Sequence, residues 1–139
     1  MLKDASLLAR GAVWAATDDR CSFEVFNITN GDFFRWEHLW PKFAEFFKMD
    51  YAPLQTISLK DMMPLQRNTW EKMVSKYRLQ SVPFEKVVTW RFGDLVFGRE
   101  FDVMSDTTKI KQFGFTEVLG SEEMFLRIFQ EFKSKKIIP

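Results

Sequence analysis

The chain of 139 residues has one cysteine, one histidine and six glycines. A lone Cys21 excludes an internal disulfide and fits a reducing compartment. It reads as a bystander rather than a nucleophile, because His38 is the only base of its kind and no partner for it is evident. His38 also has no second ligand at metal spacing, so a metal site is not expected. The glycines fall at positions 11, 31, 93, 98, 114 and 120, and no two are spaced G-x-G. That rules out the Gly-rich turn that brings backbone amides against a dinucleotide pyrophosphate. Charge of one sign is lacking too: 20 basic and 19 acidic residues leave a net +1. Such a balance predicts no nucleic-acid footprint, which needs basic residues clustered on one face. No apolar run approaches the roughly 18 residues of a membrane span. Asp4 and Arg10 interrupt the only N-terminal stretch that resembles a secretory signal. The expectation is a cytoplasmic protein with neither nucleic acid nor membrane as partner.

Aromatic residues, by contrast, are abundant: 16 Phe, 5 Trp and 2 Tyr bring the aromatic fraction to 17%. At this length one domain is expected, burying roughly 68–70% of its unfolded surface. The rings either fill that core or form an apolar face onto which something else docks. The densest stretch runs from Phe23 to Phe47. Residues 23–29 are rich in aromatic and β-branched types and alternate in part, which predicts a strand. Asn30-Gly31-Asp32 then stops it, since Asn and Gly tolerate positive φ. Trp36, Leu39, Trp40, Phe43, Phe46 and Phe47 return at helical spacing. Pro41 inside that pattern predicts a kink, or a regular helix beginning only near Trp40. The Asn30–Asp32 turn reads either as a ligand-facing turn beyond a strand's end or as a structural turn and helix cap.

The spacing predicts a first helix over 3–16, with Gly11 marking close packing. Ser58 caps a short helix that Pro64 interrupts, and a further helix covers 66–77. A largely buried helix is predicted over 84–97, with Pro83 in its first turn and Gly98 behind it. Residues 101–104 suggest a short strand, 107–113 a short helix ended by Gly114, and 115–119 another extended piece. The last helix opens at Ser121-Glu122-Glu123 and closes on Lys133, Lys135 and Lys136, as the helix dipole favours. The total is about six helices and two or three short strands, too few for an independent doubly wound sheet.

Asn27, Asn30, Gly31, Asp32 and Trp36 stand at the spacing of the segment F-N-x-x-N-G-D-x-F-x-W. With Asp4 to Ala9, Trp90-Arg91-Phe92-Gly93-Asp94 and the ending Lys136 to Pro139, the chain resembles the progesterone 5β-reductase/iridoid synthase-like reductases. These are atypical extended short-chain dehydrogenases/reductases. The resemblance covers almost the whole chain but only the C-terminal third or so of a family enzyme. It implies an α/β fold class, here one mostly helical, single substrate-binding lobe over 1–139 without the Rossmann core. NADPH or NADH is implied for the full-length enzyme, and none is bound by this chain alone. The superfamily's Tyr-x-x-x-Lys pair is not met, since Gln55 follows Tyr51 and Ser81 follows Tyr77 at that spacing. The family's own Tyr and Lys lie outside the matched part, so no catalytic residue is carried over. What the resemblance does imply is a substrate pocket wall at Phe92 and Trp90, with Arg91 where the family usually has a second Trp. It also implies substrate contacts near Met104 and Ser105. The substrate would be a small apolar enone or carbonyl compound. A second expectation is a non-catalytic remnant or interaction module, self-associating through an exposed aromatic face. Met1, just ahead of the first helix of the resemblance, is what a truncated gene would show.

Overall fold

A computed structural model describes residues 3–139; Met1 and Leu2 lie outside the described residues. The helices are α1 (Ala5–Thr17), α2 (Trp36–Phe47), α3 (Leu59–Met62), α4 (Arg67–Tyr77), α5 (Phe84–Val87), α6 (Trp90–Phe97), α7 (Thr108–Gln112) and α8 (Ser121–Ser134). Single 3₁₀ turns cover Asp19–Cys21 and Met63–Gln66. The chain divides into two compact units, Met1–Tyr51 with Val103–Arg127 and Ala52–Asp102 with Ile128–Pro139.

The mostly helical character is as expected, but the strands are not found. Residues 23–29, 101–104 and 115–119 carry no strand among the described residues. The alternation in 23–29 does report an extended chain. Phe26 and Ile28 are half-buried while Val25 and Asn27 are exposed. An extended segment becomes a strand only when a neighbouring edge supplies a ladder of bonds. Here single contacts stand in for a ladder: the Leu119 amide donates to the Asn30 carbonyl at 2.8 Å. The Asn27 side-chain amide donates to the Asp106 carbonyl at 3.1 Å. The fold class is therefore corrected from a mixture of helices and strands to helices joined by extended segments.

In the first unit α1 begins on Asp4, whose carboxylate accepts from the Ser6 and Leu7 amides at 2.8 and 3.2 Å. Those are two of the donors a helix start leaves unpaired. Leu7 on this helix joins Ile110 and Phe115 in the core, flanked by Trp14, Phe26, Ile28 and Leu119. Gly11 lies in the contact: a Cβ there would come within 2.4 Å of Ile28 Cδ1, so the expected close approach is real. α2 starts at Trp36 rather than near Trp40 and runs through Pro41. Proline at that position removes one helical amide bond without ending the helix, because aromatic packing holds both sides. Phe43 and Trp36 lie 5.0 and 6.0 Å from the Phe125 ring of α8, centroid to centroid.

In the second unit the span predicted as one buried helix, 84–97, is two helices. Val88 is fully extended at φ −151, ψ 147, and the run Val87-Val88-Thr89 supplies three β-branched residues that resist the helical turn. Phe84 is buried, and the Trp90 ring packs on it at 5.8 Å. The Trp70 indole N–H donates to the Val82 carbonyl at 3.2 Å, tying α4 to the segment before α5. An Arg67–Glu85 ion pair closes the same contact from the surface.

Candidate functional site

Within Trp90-Arg91-Phe92-Gly93-Asp94 the residues divide by what they touch. Gly93 faces α3, where an added Cβ would stand 2.9 Å from Leu59 Cδ1. The Asp94 carboxylate accepts from the Leu59 amide at 2.7 Å and the Lys60 amide at 3.0 Å. One side chain of α6 thus caps the start of α3, a bond between elements that no local pattern announces. Pinned on this side, α6 turns Arg91, Phe92 and Leu95 outward. Phe92 is 63% exposed. Trp90 is half-buried against Phe84 and anchors the helix rather than presenting itself.

Met104 and Ser105 lie side by side in the extended approach to α7, Met104 exposed and Ser105 half-buried. They belong to the first unit, whereas Trp90 and Phe92 belong to the second. The segment is held by Asp106, whose carboxylate accepts from the Thr108 amide at 2.8 Å. Hydrogen bonds from Thr108 hold that carboxyl below the usual carboxylate range. Lys109 pairs with Glu24 at 2.6 Å and lies over the Phe26 ring at 5.2 Å, fixing α7 to the extended segment 23–29.

The Asn30-Gly31-Asp32 turn faces inward. Asn30 is 1% exposed. Its Oδ1 accepts from the Asp4 amide at 2.7 Å, and its Nδ2 donates to Ser121 Oγ at 3.3 Å and approaches Met124 Sδ at 3.2 Å. Asp32 accepts from the Ser121 amide at 2.7 Å and the Ser121 hydroxyl at 2.8 Å. Gly31 has φ +88, and Val118 crowds the place of its missing Cβ. Asp4 receives the Arg127 guanidinium as well. The Ser6 hydroxyl is the largest influence on the Asp4 carboxyl and outweighs burial, so its pKa lies below the ordinary value. The turn is a clamp joining the starts of α1 and α8. A cavity of about 10 Å³ beside it, lined in part by Ile28, Thr29 and Gly31, has room for one water.

These residues do not fit a dinucleotide. The first turn of α8 follows Gly120 and is the place a phosphate would seek. Asp32 already occupies it, and Glu122 and Glu123 add negative charge there. Cys21 is buried, and desolvation raises its thiol pKa, the opposite of an activated nucleophile. Among the described residues no helix is long and apolar enough to cross a membrane. None of them gather as three potential metal ligands.

No family model matches the chain. It is 34% identical over 139 residues to a 3-oxo-Delta(4,5)-steroid 5-beta-reductase of Arabidopsis thaliana. It is 36% identical over 141 residues to the (S)-8-oxocitronellyl enol synthase ISY1 of Nepeta cataria. A further enol synthase, CYC2 of Camptotheca acuminata, is 33% identical over 140 residues. In each case 98% of this chain is matched, but it spans only 36% of the relative's length. Nearly the whole chain is thus similar to about a third of a progesterone 5β-reductase/iridoid synthase-like reductase.

Proposed function

We propose that this chain is the C-terminal, substrate-binding lobe of an NAD(P)H-dependent oxidoreductase that reduces an enone or carbonyl compound. The nucleotide and the catalytic Tyr and Lys belong to a Rossmann part beyond these 139 residues. Phe92 forms one wall of an apolar pocket, with Trp90 anchoring the helix behind it on Phe84. The observation that carries the reading is the division of labour on α6. Gly93 and Asp94 fix the helix to α3, and Phe92 is left facing outward on a rigid support. The relatives' names support an apolar oxo compound, since one is a reductase of 3-oxo-steroids and another a synthase of an 8-oxocitronellyl enol.

The test is a chimera in which this chain replaces the matching segment of the Arabidopsis 5-beta-reductase. Reduction of a bulky enone is expected. Phe92→Ala in that chimera raises KM about tenfold, the equivalent of roughly 1.4 kcal/mol of lost apolar contact. The KM for the nicotinamide cofactor stays as it was. An unchanged enone KM would remove Phe92 from the pocket, and an inactive but folded chimera would remove the lobe reading itself.

A second reading, a non-catalytic module, is favoured by one observation. The second unit leaves Leu54, Leu65, Phe92, Leu95 and Phe101 exposed around a core in which only Leu79 and Phe84 are buried hydrophobics among the described residues. Such a surface self-associates or takes a partner chain.

A further inference from the structure

Residues 24–29 are extended, yet no ladder forms on them. From Val25 to Thr29 no backbone amide or carbonyl bonds to another backbone group among the described residues. Thr29 is buried, but Val25 is 81% exposed and Asn27 is exposed as well, so the open stretch lies at the surface. The segment is nevertheless held firmly. Phe26 and Ile28 pack against the core of the first unit. Glu24 pairs with Lys109 at 2.6 Å, and the Asn27 side chain donates to the Asp106 carbonyl. An extended backbone already fixed in place gives up little further freedom when another strand joins it.

Proteins that leave a strand edge open commonly guard it with Lys, Pro or a covering element. Residues 25–29 contain no charge and no Pro, and the neighbouring Glu24 is answered by Lys109. A foreign peptide that adds a strand is selected through side-chain pockets beside the edge. The cavity beside this segment, about 10 Å³, admits no side chain. A second copy needs no such pocket, because the segment is its own complement. Antiparallel pairing centred on Phe26 sets Val25 of each copy opposite Asn27 of the other, and Glu24 opposite Ile28. No like charges face each other in that register. Backbone groups alternate in direction along an extended chain. The Asn30 carbonyl is taken by the Leu119 amide, so the odd-numbered residues aim away from 115–119, to the open side. Val25 and Asn27 are then the residues that exchange bonds across the pair. Phe23 adjoins them with its ring wholly exposed, and it adds apolar surface for the second copy to cover.

We infer that residues 24–28 form the edge through which two copies of this chain pair antiparallel, as a two-fold dimer. The test is sedimentation of the full chain across a concentration series, with amide hydrogen exchange followed by NMR at both ends of it. A dimer is expected, and in it the Val25 and Asn27 amides exchange about tenfold more slowly than in the monomer. Exchange at Leu59 in the second unit stays as it was. Val25→Lys sets two cations diagonally across the pair and is expected to weaken the dimer about tenfold. Leu54→Lys, at a fully exposed apolar site in the second unit, leaves it unchanged. Circular dichroism shows whether both variants are folded, and the exchange pattern of the unaltered chain tests the proposal independently of either. A chain that stays monomeric up to about 1 mM, a dimer without protection at Val25 and Asn27, or equal weakening by both variants would each overturn it.

Discussion

Asn30 shows how much a single buried amide can hold. Its side chain joins the start of α1 to the first turn of α8. Asn30→Ala leaves the Asp4 amide without its acceptor in a site closed to water. It is expected to cost about 2–3 kcal/mol, the range for an orphaned buried polar group plus lost bonds. Urea unfolding reads this directly, and a cost below the error of extrapolation would show that water replaces the amide. Asp4 beside it gives a pH dependence with a definite sign. Its pKa is lowered in the folded chain, so its contribution to stability is complete above the unfolded value of about 4 and is lost as pH falls through the folded value. Thermal melts between neutral and acid pH are expected to show stability lost on acidification. In Asp4→Asn that loss shrinks, because the group that takes up the proton is gone. An identical acid profile in the variant would place the titration elsewhere. The cap role of Asp4 was open to a reader of the sequence, since an Asp precedes an apolar helical pattern. Asn30 was visible only as a turn residue, because its partners lie 26 to 94 positions away.

Among the elements, α6 and α3 depend on each other. The Asp94 carboxylate takes both amides at the start of a helix only four residues long, too short to persist unaided. Asp94→Ala is expected to destabilise the second unit by about 1 kcal/mol. Hydrogen exchange at Leu59 and Lys60 should speed up while exchange at Leu7 in α1 stays as it was. Equal acceleration at both places would mean that the cap holds more than its own unit. The element pattern also explains where periodicity misleads. Apolar spacing is continuous from Phe84 to Val96, but the β-branched run Val87-Val88-Thr89 breaks the helix, and spacing alone does not register that. The segment 23–29 errs the other way: its alternation is that of an extended chain lying on a core, and pairing, which makes a strand, depends on a neighbour that the segment does not encode.

For the molecule as a whole the exposed apolar side chains set the behaviour in solution. Phe23, Phe33 and Met49 in one unit and Leu54, Leu65 and Phe101 in the other stand open to solvent. Self-association is the expected outcome, seen as a sedimentation coefficient that rises with concentration. A single sharp monomer at high concentration would count against an interaction face.

Some properties of this protein were settled by the sequence alone. A single cysteine left no internal disulfide, and helical periodicity with Ser58, Pro83 and Gly98 as punctuation placed most of the helices. These are local properties, written in residues a few positions apart. The tertiary structure decided the rest. It turned the Asn30–Asp32 motif inward as a clamp, and it aimed Phe92 outward by pinning Gly93 and Asp94. It also left the edge at Val25 to Thr29 unpaired. Each of these depends on which distant residues fold alongside, and residues a few positions apart do not record that.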